Sequence, residues 1–180
     1  EEDETFGSLY DPITTIRDNY KLKMDKKWNI QGYMSYKFAK HFTARVDLGY
    51  QSRHISTDRY YGPTTYFARN TGRPGIEGGT AQLQVTDEYS TVLTNHNTLE
   101  WKQTFDADHN VSVLVGEETV IRKGETKTQY GFGYKGSYDV LNGEIFNYLG
   151  QAAYSEFTNY VDPRDNQLSF LARANYDYKG

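Results

Sequence analysis

Every even position from Trp28 to Tyr50 except Lys40 is apolar, aromatic, glycine or alanine, while the odd positions carry Asn29, Gln31, Ser35, Lys37, Thr43, Arg45, Asp47 and Gln51. A period of two puts successive side chains on opposite faces, so one face of this stretch is apolar and the other can be wet. The pattern survives the turn residues Ala39-Lys40-His41, which makes it a hairpin. Its strands, over about 27–38 and 42–54, are each about eleven to thirteen residues, where soluble strands usually run five or six. Long strands with one apolar face are what a membrane-crossing β-hairpin requires.

Composition narrows the class further. Seventeen Tyr and nine Phe stand beside two Met, the mean hydropathy is −0.82, and no helical period persists. No run is apolar enough for a membrane helix. Barrel strands alternate and their loops are polar, so a negative mean hydropathy agrees with a barrel. The net charge is −4, and without a basic stripe nucleic acid is not an expected partner. The absence of cysteine excludes disulfides and thiolate metal sites. The N-terminus opens on Glu1-Glu2-Asp3-Glu4 rather than a signal peptide, so either a leader has been removed or the sequence is an internal piece.

After a polar segment over 1–26, the alternation predicts five strands. The third covers about 89–105, with Leu93, Leu99 and Trp101 opposite His96, Thr98, Glu100 and Lys102. The fourth begins near Val111, with Val113 and Val115 on its face. The fifth begins near Gln167, with Leu168, Phe170, Ala172, Ala174, Tyr176 and Tyr178 alternating with polar residues. Two long loops are expected, over about 55–88 and 122–166, against short turns at 39–41 and 105–110. Outer-membrane barrels have this asymmetry, with tight periplasmic turns and long external loops.

The aromatics Phe38, Phe42, Trp101, Phe105, Tyr176 and Tyr178 fall beside the short-turn ends like an interfacial belt, and Trp28 lies ten residues above Phe38. At about 3.3 Å per residue and a tilt near 40°, that is roughly 25 Å along the membrane normal, the height of an apolar barrel band. Five strands close no barrel, and an open edge in lipid leaves backbone groups unpaired. The expectation is therefore an all-β, antiparallel transmembrane β-barrel segment, a fragment completed by further strands.

Sites with sharper chemistry are few. Asp106-x-Asp108-x-Asn110 with Glu117 has the outline of a calcium loop, but Val111 occupies the position that needs glycine, so a hairpin turn is the better reading. The stretch GRPGIEGG (72–79) lacks the lysine of a phosphate loop and reads as a flexible external loop. The four histidines have no metal-ligand spacing. No catalytic arrangement is visible, so no enzyme, cofactor or metal is expected. Arg45, Asp47, Glu100, Lys102 and Arg173 are expected to face a lumen or a plug, because a charge on the lipid face costs about 2–4 kcal/mol at mid-membrane. Tyr60, Tyr61, Tyr66 and Phe67 are candidates for stacking on sugar rings or packing against neighbouring loops.

Four segments carry a family resemblance. NTLEWKQTFDADHNVSVLVGEE (97–118) resembles the strand–turn–strand of SusC-like TonB-dependent outer-membrane transporters, with an Asn-x-Leu-x-Trp-x-x-x-Phe run, a His-Asn turn and Gly-x-Glu. LSFLARANYDYKG (168–180) looks like the next strand of that family, and YKFAKHFTARVDLGYQ (36–51) like the preceding hairpin, with YYGPTT (60–65) where the family has an external loop. The resemblance implies a barrel of about 22 strands around a plug. It also implies a SusD-like surface lipoprotein as lid, energy from TonB, outer-membrane lipid around the wall, and import of oligosaccharides or peptides. The family's plug, TonB box and closing strand have no counterpart in these residues. A secreted β-sandwich that binds carbohydrate, or a passive porin-type barrel, are the alternatives.

Overall fold

The alternating stretch does fold as a hairpin. Strand β1 (Asn19–Phe38) and strand β2 (Phe42–Tyr61) are joined by Ala39-Lys40-His41 in the computed structural model, which describes residues 12–70, 73–76, 79–134 and 144–179. Strands β3 (Ala81–Phe105), β4 (His109–Tyr134), β5 (Tyr154–Val161) and β6 (Asp165–Tyr178) follow. Two short helices, α1 (Pro12–Arg17) and α2 (Tyr66–Asn70), and a 3-10 segment over Glu144–Gln151 complete the elements. The strands form one six-stranded antiparallel sheet in the order β1-β2-β3-β4-β5, with β6 also paired to β4. The fold is all-β, and the sheet is open among the described residues.

Six strands form where alternation predicted five, and they run longer. β1 starts at Asn19 rather than near 27, β3 at Ala81 rather than near 89, and β4 continues to Tyr134. The alternation in fact persists at Tyr20, Leu22 and Met24 and at Ala81, Leu83 and Val85, but Lys26 and the polar run Asp87-Glu88 interrupt it. A strand continues wherever a neighbour completes its hydrogen bonds, whether or not its side chains are apolar. β5 lies within a stretch expected to be loop for the same reason.

Both tight turns solve the same geometric problem. Ala39 and Lys40 have φ of 47° and 60°, and Asp106 and Ala107 have 47° and 61°. Two consecutive left-handed residues make the hairpin turn whose twist matches that of the flanking strands. Neither turn uses glycine. A left-handed L-residue costs roughly 1–2 kcal/mol, against about 0.5–1 for the extra entropy of glycine. Lys40→Gly and Ala107→Gly should therefore each stabilise the protein by about 0.5–1 kcal/mol. The urea-unfolding midpoint of the folded full-length protein reads this, and a lowered midpoint contradicts the turn geometry.

The chain divides into two compact units. One comprises 1–26, 54–88 and 125–160, the other 27–53, 89–124 and 161–180. The first has a core of Tyr60, Ala81, Leu83, Tyr134 and Ile145, with Tyr20, Phe146, Leu149 and Ala152 packed against it. Ile145 comes from the 3-10 segment, which Tyr134 anchors by donating its hydroxyl to the Leu149 carbonyl at 3.1 Å. The loop after β2 is held by Asp18, whose carboxylate accepts from Thr64 N (2.9 Å) and Thr64 Oγ1 (2.6 Å). Thr65 then caps α2, its Oγ1 accepting from Ala68 N at 3.2 Å. At Gly62 a Cβ would collide with the Asp18 carboxylate, which explains the glycine there.

Part of the glycine-rich stretch expected to be flexible is a β-turn. Ile76 N donates to Arg73 O at 2.8 Å, and Gly75 takes φ of 78° after Pro74. Proline followed by a left-handed glycine is the sequence of a type II turn. Arg73 fixes it by pairing with Glu156 at 3.0 Å and lying over the Phe132 ring at 4.6 Å. Residues 71, 72, 77 and 78, and 135–143 of the expected second long loop, lie outside the described residues.

Candidate functional site

In the second unit the period of two separates two faces of different chemistry. The register of β4 with β6 pairs Val111 with Tyr176, Val113 with Ala174, Val115 with Ala172 and Glu117 with Phe170. The odd residues of β4 therefore share a face with the even residues of β6. This face is apolar and open: Trp28 is 71% exposed, Met34 72%, Leu48 54% and Phe170 77%. A β-sandwich would bury such side chains between two sheets, whereas here they lie exposed on a single one.

The opposite face carries an open groove of about 720 Å³, lined by Gln31, Tyr33, Arg45, Asp47, His96 and Thr98 among others. Arg45 donates from Nε (2.8 Å) and from Nη2 (2.6 Å) to the two carboxylate oxygens of Asp47, a fork that fixes both side chains. The guanidinium also lies over the Tyr33 ring, 4.3 Å from its centre. Lys102 pairs with Glu100 at 2.8 Å, again two residues apart on one strand. Arg173 is the register partner of Leu114, which lines the groove. The five charged residues expected to face a lumen or plug thus share one face of the sheet. Their charges are already paired within strands for the first four, so the groove offers a polar, nearly neutral surface. Gly116 lies where the sheet is tightly packed: a Cβ there would meet Thr98 Cγ2 at 3.1 Å, Asn97 O at 3.2 Å and Leu171 Cγ at 3.2 Å.

The aromatics of the expected belt cluster beside the two tight turns. Phe38 stacks on Phe42 with ring centres 5.5 Å apart, and Trp101 tilts against Phe105 at 6.4 Å. Tyr176 and Tyr178 bracket His109, with ring centres at 5.9 and 5.0 Å. His41 joins the neighbouring strand instead: its Nδ1 lies 3.1 Å from Lys102 O.

The four loop aromatics separate. Tyr60 is 8% exposed and belongs to the core of the first unit, so its ring offers no free face. Tyr61 stacks on Phe67 at 4.3 Å and takes a hydrogen bond from Arg59 at 2.8 Å. Tyr66 is 61% exposed and Phe67 39%, which leaves these two at the surface. Sequence alone did not distinguish them, because burial of Tyr60 depends on residues distant in the chain.

In the same unit His54 Nε2 lies 2.8 Å from Asp87 Oδ1. Burial, followed by the charge of Asp87, raises the Asp58 carboxyl above its ordinary value. The folded state thus holds this proton more firmly than the unfolded chain. The contribution to stability is complete below the unfolded value of about 3.9 and is lost as pH rises through the folded value. Asp58→Asn should stabilise this unit at neutral pH and flatten its pH dependence above about pH 4. Thermal unfolding of the two forms across pH measures this, and parallel profiles contradict it.

A polar group that the sequence offers only as part of the calcium-like outline has a different place in the fold. Glu117 lies on the apolar face, accepting from Thr119 Oγ1 at 2.8 Å and from Asn97 Nδ2 at 3.3 Å. The signal was present: Glu117 has the parity of Val111, Val113 and Val115. Glu117 lies eight residues beyond His109 along β4, too far on an extended strand to close round the calcium-like loop at 106–110. No group of three metal-ligating side chains occurs among the described residues, and no helix there is long and apolar enough to cross a membrane.

No family model and no curated protein matches the sequence. Solved structures do match. A structure of the RagAB peptide transporter superposes with a TM-score of 0.73 at 18% identity, covering 91% of this chain. This sheet is similar in fold to a section of that transporter. The RagAB peptide importer in its open-open state gives a TM-score of 0.72 at 17% identity, and the closed-closed state 0.68 at 18%. The chain spans 17% of the length of each matched RagAB chain. At this identity the likeness to RagAB is one of fold.

Proposed function

We propose that this chain is a section of the barrel wall, with external strand extensions, of a SusC-like TonB-dependent outer-membrane transporter that imports oligosaccharides or peptides. The observation that carries the reading is a single sheet of long antiparallel strands with one exposed apolar face and one polar face, similar in fold to RagAB. The apolar face meets lipid, and the aromatics near the tight turns sit at the periplasmic interface. The groove with Arg45 and Asp47 faces the barrel interior, where a plug packs. Tyr66 and Phe67 lie outside the membrane, within reach of a substrate or of a SusD-like lid.

On this reading the protein catalyses no reaction and needs no cofactor in this section. Energy comes from TonB acting elsewhere in the protein. The structural neighbours are peptide importers, which favours peptides as the first substrates to test. Deletion of the parent gene in its native host should abolish uptake of one oligosaccharide or peptide class. Uptake that persists when TonB is removed but the barrel is intact points to the passive porin-type alternative. A parent protein that is monodisperse without detergent defeats the barrel reading altogether.

A further inference from the structure

Many cations on these strands are paired with an acid close by. Arg45 pairs with Asp47, Lys102 with Glu100 and Lys127 with Glu125, each two residues along one strand, and Arg122 pairs across strands with Asp165. The first unit holds an exception. Gly62 N donates to Asp18 O at 2.8 Å, and a Cβ on Gly49 would lie 3.7 Å from Gln31 Cγ, so β1 and β2 keep one register. That register sets Lys21 opposite Arg59 and Lys23 opposite Thr57, with their side chains on one face. Tyr20 and Tyr60, one residue along, enter the core on the other face. Lys21 and Lys23 are exposed and Arg59 is half-buried. None of the three has an acidic partner among the described residues, and Asp25, the nearest acid of the same parity on β1, has a contact of its own. Like charges directly opposite one another weaken a sheet, so this cluster gives the fold nothing.

The cluster has a fixed head and a polar floor. Arg59 Nη1 donates to Tyr61 Oη at 2.8 Å, and the Tyr61 ring stacks on Phe67 at 4.3 Å. A guanidinium has several N–H donors, so this one bond orients the fork and leaves the rest of it open. Lys102 N donates to His41 O at 2.9 Å, and Thr94 lies beside Gly49, which sets Gln84 of β3 opposite Arg59 and Thr86 opposite Thr57. Gln84 bonds Thr86 at 3.3 Å, and Thr86 bonds Thr128 at 3.3 Å, so the floor beside the cations is neutral. Lys21 and Lys23 are two residues apart, about 6.6 Å, which is also the spacing of alternate side chains in an extended peptide. We propose that Lys21, Lys23 and Arg59 bind the carboxylates of an acidic peptide substrate held extended on this face. The two ammoniums take alternate acidic side chains, and the Arg59 fork takes a third carboxylate. The net charge of −4 otherwise repels such a substrate, so these local cations decide its capture.

This inference rests on the transporter reading and narrows its substrate. The full-length protein, with its native partners in the outer membrane of its host, is offered a short labelled peptide with Glu at alternate positions, or its Gln counterpart. Wild-type cells should import the Glu peptide with a several-fold lower KM, an advantage that shrinks as salt rises. K21Q/K23Q should raise the KM for the Glu peptide several-fold and that for the Gln peptide less. R59K, which keeps the charge but not the fork, should raise it less than R59Q. Heat-modified gel mobility checks that each variant is folded. If K21Q/K23Q fails to fold, the comparison of R59K with R59Q carries the test. Equal KM for the two peptides, or equal losses for both in folded variants, overturns the acidic-peptide site while import of either leaves the transporter reading intact. Competition by an acidic oligosaccharide but not by the Glu peptide also overturns it. Absence of TonB-dependent uptake of any peptide or oligosaccharide overturns both readings together.

Discussion

Met34→Arg should sharply reduce the amount of folded protein recovered from the outer membrane, whereas Gln31→Arg should leave it nearly unchanged. Met34 is 72% exposed on the apolar face, and Gln31 lines the polar groove three residues away on the same strand. Arginine facing lipid costs about 2–4 kcal/mol near mid-membrane and about 0–1 near an interface. Total stabilities are usually about 5–15 kcal/mol, so the first substitution removes a large fraction. At position 31 the new charge meets water, Asp47 and the polar lining of the groove. Heat-modified gel mobility of outer-membrane fractions reads both variants. Equal losses contradict the assignment of faces, and so does a larger loss for Gln31→Arg.

Leu83→Ala should destabilise the first unit by about 2–5 kcal/mol, the usual range for truncating a buried leucine. Leu83 is 1% exposed among Tyr60, Ala81, Tyr134 and Ile145. Its neighbours are held by the sheet and by the anchored 3-10 segment, so the cavity has little room to collapse. The effect should be local. Limited proteolysis of the full-length protein in intact cells should cut the 54–88 and 125–160 regions faster while the membrane-level strands stay protected. Uniform loss of protein from the membrane would mean that the core of this unit also governs barrel assembly. An unchanged cleavage rate would contradict the burial.

The Asp58 substitution concerns a region where the sequence signal was weakest. Over 52–61 polar residues occupy both parities, so nothing in the pattern announced that β2 continues to Tyr61. β5 was equally silent, with polar residues Ser155, Glu156, Thr158 and Asn159 among Tyr154, Phe157 and Tyr160. In such stretches a strand is specified by the hydrogen bonds of its neighbour rather than by an alternating apolar face. Those neighbours are distant in sequence. Glu117 is a different case: its parity places it with Val111, Val113 and Val115, but the hydrogen bond from Asn97 follows only from the pairing of β3 with β4.

The alternation over 28–54, 93–101, 111–115 and 168–178 by itself determined the all-β class, the two faces and the positions of both tight turns. It could do so because the side-chain period of a strand is fixed by backbone geometry. Only the tertiary structure decided the sixth strand, the burial of Tyr60 against Leu83 and Ile145, and the meeting of Asn97 with Glu117. Each depends on which strands lie side by side and in what register, and a period of two carries no information about its neighbour.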